Sequence, residues 1–142
     1  MDRIRKVQVV VYTMIKEPQF LVLRRIPSKG SIWQNVTGAI EDGETLENAA
    51  YRELEEETGI GRDKILEFGQ LFSFEYRDAR DMEVEETVFF AKIKEGTPVD
   101  ITKNVYPEHE TFKWCSDREA IELMKWKTNS RAIEAVMENL KK

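Results

Sequence analysis

Apolar residues alternate with polar ones, or run on unbroken, in several short stretches. Residues 6–15 (KVQVVVYTMI) and 19–25 (QFLVLRR) are β-branched and apolar, and the intervening KEPQ, with its proline, predicts a turn between two strands. IWQNV predicts a third short strand, and residues 66–76, 84–93 and 111–115 predict further ones. The segment from Thr45 to Thr58 reads differently. It lacks Gly and Pro, Thr45 suits an N-cap and Gly59 a left-handed C′ position, so a helix is predicted. Ser116 followed by DREAIELM, and Asn129 followed by SRAIEAVMENLKK, predict two C-terminal helices. Strands and helices interleave without regular βαβ alternation, which predicts an α/β (α+β) fold with a mixed central sheet flanked by helices.

The predicted helix carries an unusual charge pattern. At about 100° per residue, with Leu46 at zero, Ala49, Ala50 and Leu54 fall within roughly 80° and define an apolar stripe. Glu53 and Glu57 fall within roughly 20° of Leu46 on the same wheel, inside the stripe. Glu56 and Arg52 lie on one flank, whereas Glu47 and Glu55 point toward solvent. Like charges three and four apart repel, and carboxylates on a packing face need protonation, a cationic partner or a metal. Arg52 can pair with only part of the cluster.

Composition narrows the chemistry. A chain of 142 residues, 41% hydrophobic and 35% charged, is expected to form one domain over 1–142, with no membrane segment. The N-terminal apolar run alternates like a strand and lacks a cleavage site, so it is expected to be the first strand and not a signal peptide. Cys115, the only cysteine, lies beside Trp114 and is expected to be a packed thiol, and the expected location is the cytoplasm. A net charge of −5 argues against nonspecific nucleic-acid binding, but not against a small polyanion held through cations. Hard oxygen ligands at this density suit Mg²⁺, with Mn²⁺ as substitute, and the lone His109 makes no metal site by itself. Magnesium keeps waters and shares its remaining positions with phosphates, so the cluster points to phosphoryl chemistry.

The string GAIEDGETLENAAYRELEEETGI resembles the Nudix box, G-x5-E-x7-R-E-U-x-E-E-x-G-U with U aliphatic. It fits at Gly38, Glu44, Arg52, Glu53, Leu54, Glu56, Glu57, Gly59 and Ile60. The resemblance implies an α/β/α sandwich and metal-dependent attack of water on a diphosphate bond. It also implies that Glu53, Glu56 and Glu57 are metal ligands, that Gly38 offers its carbonyl, and that Arg52 orients the carboxylates while Glu44 holds Arg52. Outside the box, WQNVTG, EHETFKW and SRAIE resemble the dihydroneopterin triphosphate and dATP pyrophosphohydrolase branch. That likeness implies Glu108 as a further metal ligand or catalytic carboxylate, with Glu110 as the fallback, and Arg25 and Thr37 as substrate contacts. The segment around YRDARDMEVEE is shorter than in pterin-hydrolysing members, so the base is left open. Trp33, Phe72, Phe74, Tyr76 and Trp126 are candidates for stacking on it or for the core.

The expected function is therefore Mg²⁺-dependent cleavage of a nucleoside or pterin triphosphate to monophosphate and pyrophosphate, by a monomer or homodimer. The alternatives are hydrolysis of a dinucleoside polyphosphate or an RNA 5′-pyrophosphate, and a noncatalytic nucleotide-binding module. The intact box argues against the last.

Overall fold

The computed structural model describes residues 3–142; Met1 and Asp2 lie outside them. Strand β1 (Ile4–Ile15) is central, flanked by β2 (Glu17–Arg25) and β6 (Glu83–Ile93), with β5 (Ile65–Arg77) beyond β6. The β1–β6 pair is parallel and the other pairs are antiparallel, which makes the sheet mixed, as expected. β1 is buried on both faces. Val7, Val9 and Val11 pack toward helix α1 (Leu46–Thr58), while Val10 and Tyr12 pack toward α2 (Asp117–Leu123) and α3 (Lys127–Leu140). That double burial is why the run reads as nearly continuous apolar sequence.

β1 and β2 pair only through Val11–Ile15 and Glu17–Leu21, and they part further along. The gap is filled by one stretch of chain that changes partner. As β3 (Trp33–Gln34) it pairs with β2, and as β4 (Val36–Ala39) it pairs with the first half of β1. β7 (His109–Cys115) closes the other edge of β2.

The predicted elements differ from these in places. The β1–β2 turn is tighter than KEPQ implied: Lys16 takes φ 64° and Pro18 already pairs with Met14. α3 starts at Lys127, before the predicted Asn129 boundary. The Asn129 side chain is committed elsewhere, its Oδ1 accepting from the Asn35 backbone N–H at 2.8 Å, so it does not cap. α1 matches its caps: Thr45 Oγ1 accepts from the Asn48 N–H at 3.1 Å, and Gly59 takes φ 75°. α2 begins on a Ser116 cap. Cys115 is buried, and burial pushes its thiol up to about 11, as fits a packed group. None of the described helices is long and apolar enough to cross a membrane.

Candidate active site

The inward face of α1 meets β4 at Gly38. A Cβ there would overlap the Glu53 carboxylate, so only glycine lets that group seat against the strand. Glu53 is 7% exposed and Glu57 3%, on the same side as Ala49, Ala50 and Leu54. Glu55 faces solvent.

Arg52 ties the helix to the loop before it. Its Nε donates to Glu44 Oε2 at 2.7 Å and its Nη2 to Glu44 Oε1 at 2.9 Å, a bidentate pair. Nη2 also donates to the Ala39 carbonyl at 2.9 Å, and Nη1 to Glu53 Oε1 at 2.8 Å and Glu56 Oε2 at 3.2 Å. One guanidinium therefore aligns three carboxylates and the β4 backbone. Hydrogen bonding to Arg52 holds the Glu44 carboxyl below the usual range. Glu53 goes the other way: burial pushes it up to about 7, helped by smaller repulsion from Glu56 and Glu57, and the hydrogen bond and charge of Arg52 draw it back only in part.

Glu57 is held by two side chains. Asn104 Nδ2 donates to its Oε1 at 3.0 Å, and His109 Nδ1 lies 2.8 Å from its Oε2. The far ring nitrogen of His109 lies 3.1 Å from Gln34 Nε2. An amide nitrogen only donates, so the ring proton sits on Nδ1 and points at Glu57.

Glu53, Glu56, Glu57 and Glu108 line one cleft of about 280 Å³. Thr37, Gly38, Ala39 and Glu108 also line a second, of about 770 Å³, whose further walls include Phe74, Tyr76, Trp126, Arg25 and Glu86. The donors of the smaller cleft are hard oxygens, and their mutual repulsion is what a divalent cation relieves, so Mg²⁺ or Mn²⁺ fits this set chemically. Among the described residues no three acidic, histidine or cysteine side chains already converge as ligands. Arg52, Asn104 and His109 hold the oxygens instead, and Glu56, with a side chain 43% exposed, has room to turn.

Comparison with known proteins decides the family, because the family model of the NUDIX domain matches residues 4–136. The chain belongs to the Nudix family. It is 30% identical over 150 residues to a dihydroneopterin triphosphate diphosphatase of Haemophilus influenzae, covering 97% of this chain and 90% of that one. The solved structure of the Escherichia coli dihydroneopterin triphosphate pyrophosphohydrolase superposes with a TM-score of 0.73 at 27% identity, covering 95% of each chain. A Myxococcus xanthus octanoyltransferase is 36% identical over 107 residues, but the chain spans only 29% of that protein's length. As a Nudix hydrolase, the protein acts on diphosphate (acid anhydride) bonds.

The Nudix-box residues Gly38, Glu44, Arg52, Glu53, Glu56 and Glu57 are brought together. Glu108 stands where the clefts join, with Lys29 Nζ at 3.2 Å. Glu110 lies outside both clefts and pairs with Arg24 at 3.2 Å. Arg25 lines the larger cleft, where its Nε is buried without a partner, and Thr37 stands at the shared wall. Of the candidate stacking residues, Phe74, Tyr76 and Trp126 line the cleft, whereas Trp33 and Phe72 pack against the α3-side core. His109, Gln34 and Asn104 were not foreseen as members of the site. His109 is the one histidine, and its burial beside Glu108 is visible only once β7 is paired to β2.

Proposed function

We propose that the protein is a Mg²⁺-dependent pyrophosphohydrolase that converts a nucleoside triphosphate, or a pterin triphosphate, to the monophosphate and pyrophosphate. One observation carries this reading: the carboxylate cleft and the aromatic-lined cleft share the wall Thr37–Ala39 and Glu108. A base in the larger cleft leaves its phosphates over the carboxylates. The Haemophilus and Escherichia relatives, a diphosphatase and a pyrophosphohydrolase of dihydroneopterin triphosphate, support the same class.

In this reading Glu53, Glu56, Glu57 and Glu108, with the Gly38 carbonyl, would hold the metal, which when bound would supply charge to offset that of the phosphates. Arg52, locked by Glu44, keeps Glu53 and Glu56 in place, and Arg25, on the wall of the larger cleft, offers its guanidinium to phosphate oxygen. The oxygen of water bonds to phosphorus while a bridging P–O bond breaks and pyrophosphate leaves. A carboxylate left free of the metal takes the proton of that water. Residues 1–142 would act in this chemistry as one catalytic unit.

The test is a panel of nucleoside triphosphates, dihydroneopterin triphosphate, diadenosine tetraphosphate and triphosphorylated RNA, with products identified. Pyrophosphate plus monophosphate from a free triphosphate is expected, with Glu57→Gln losing most of it. Turnover confined to the dinucleotide or the RNA would overturn the reading.

A further inference from the structure

The larger cleft has a charged floor that phosphate chemistry does not use. Glu86, on β6, is only 5% exposed yet lines that cleft. No ion pair among the described residues includes it. Lys6, its register partner on β1, lines the same cleft without pairing to it.

Neutral donors hold the carboxylate instead. Gln8 Nε2 donates to Oε2 at 2.8 Å, and the Tyr76 hydroxyl donates to Oε1 at 3.1 Å. Both donors are fixed in turn. Asn35 Nδ2 donates to Gln8 Oε1 at 2.8 Å, which sets the Gln8 amide with its nitrogen toward Glu86. Asn35 is clamped to α3, its backbone N–H on Asn129 Oδ1 and its Nδ2 on the Asn129 carbonyl at 3.3 Å. Burial, and then the charge of Glu86, push the Tyr76 hydroxyl up, so it stays a donor. Each carboxylate oxygen accepts about two hydrogen bonds, so one site per oxygen remains. A carboxylate so removed from water calls for donors there.

The cleft walls suit a flat ring. The Phe74 and Tyr76 rings stack at 5.7 Å between centroids, and Trp126 stands 51% exposed on the same cleft. A ring presenting two adjacent N–H donors, a ring N–H beside an exocyclic amine, would meet the carboxylate as a guanidinium does, through two parallel bonds. The 2-amino-4-oxo ring shared by guanine and pterins has that edge. Adenine offers an amine beside a bare ring nitrogen, whose lone pair would face a carboxylate oxygen.

We propose that Glu86 reads the base, and that it selects triphosphates carrying a 2-amino-4-oxo ring over those carrying adenine. This inference rests on the triphosphate reading above.

The test compares kcat/KM for GTP, ITP, 2-aminopurine riboside triphosphate, ATP and dihydroneopterin triphosphate. ITP lacks the amine, the 2-aminopurine compound lacks the ring N–H, and ATP lacks the matched edge. The parent enzyme should prefer GTP or the pterin over ITP by about 10-fold or more, the effect of one hydrogen bond to a charged group. Glu86→Gln should bring the GTP-to-ITP ratio close to one. Comparing GTP with the pterin tells which source of the ring is preferred, and both should fall in the variant. ATP turned over as fast as GTP and the pterin overturns the proposal, as does a folded Glu86→Gln enzyme that keeps the parental ratio. The parental substrate series decides even if the variant fails to fold. Should no triphosphate release pyrophosphate, the hydrolysis reading falls. Calorimetric binding of GTP against ITP, with Ca²⁺ present, then still tests the base preference, and equal affinities overturn it.

Discussion

Replacing Gly38 with Ala isolates the seat of Glu53 against β4. Gly38 is not among the glycines with positive φ, so alanine brings no left-handed strain. What it brings is a methyl carbon inside the contact envelope of the Glu53 carboxylate. Restoring an ordinary carbon contact of about 3.5–4 Å requires the carboxylate to retreat by about 1.5–2 Å. A displacement of that size at a catalytic group costs roughly 10²-fold in rate. Stability should fall less, by about 1–2 kcal/mol, because the strained bond between Glu53 and Arg52 is one charge-assisted contact and the carboxylate escapes an unfavourable burial. Gly43→Ala is the contrast. Its Cβ would meet nothing within 4 Å, but φ is 82°, so it should lower the melting temperature while turnover stays near parental. The assay pairs kcat/KM and Mg²⁺ half-saturation with thermal unfolding of both variants. Parental kcat/KM and Mg²⁺ dependence in Gly38→Ala would refute the claim that close packing on β4 positions Glu53.

Other outcomes follow from the same geometry. Glu53 is raised from 4.5 to about 7, so it binds its proton more tightly folded than unfolded; its contribution to the stability of metal-free protein is full below pH 4.5 and lost as pH climbs through about 7. Denaturant melts at pH 5 and pH 8 should therefore show Glu53→Gln gaining on the parent by up to roughly 3 kcal/mol at the higher pH, and saturating Mg²⁺ should remove most of that difference. Arg52→Lys cannot reproduce the fork to Glu44 together with the bonds to Glu53, Glu56 and Ala39. We expect a loss of about 10- to 100-fold in kcat, measured at saturating Mg²⁺. Chelation should abolish turnover, and added Mg²⁺ or Mn²⁺ should restore it, followed by chromatography of the monophosphate product.

Local signals in the sequence were enough where the chain decides its own conformation. Thr45 and Gly59 bound α1 because each acts on neighbouring backbone, Thr45 through its hydroxyl and Gly59 through its left-handed φ and its N–H to the Glu55 carbonyl, and the wheel separates Glu53 and Glu57 from Glu55 because helical period is a local property. The Asn129 boundary fails because its partner, Asn35, lies far off in sequence. The choice between Glu108 and Glu110 also waits on tertiary pairing: β7 slips register against β2 between Arg24 and Arg25, matching Arg24 with Thr111 and Arg25 with His109, so Glu110 goes to Arg24. The bond from His109 to Glu57 spans separate elements, with no periodicity to announce it.

The stretch that trades β2 for β1 behaves like a party wall. Gln34 braces the histidine behind Glu57, Asn35 braces the amide above Glu86, and Thr37 to Ala39 face both rooms. A shift along this strand is felt on both sides at once, so substitutions there should move turnover and base preference together. Phe74 and Trp126 face one room alone, and they are where substrate choice can drift while the hydrolytic machinery stays still.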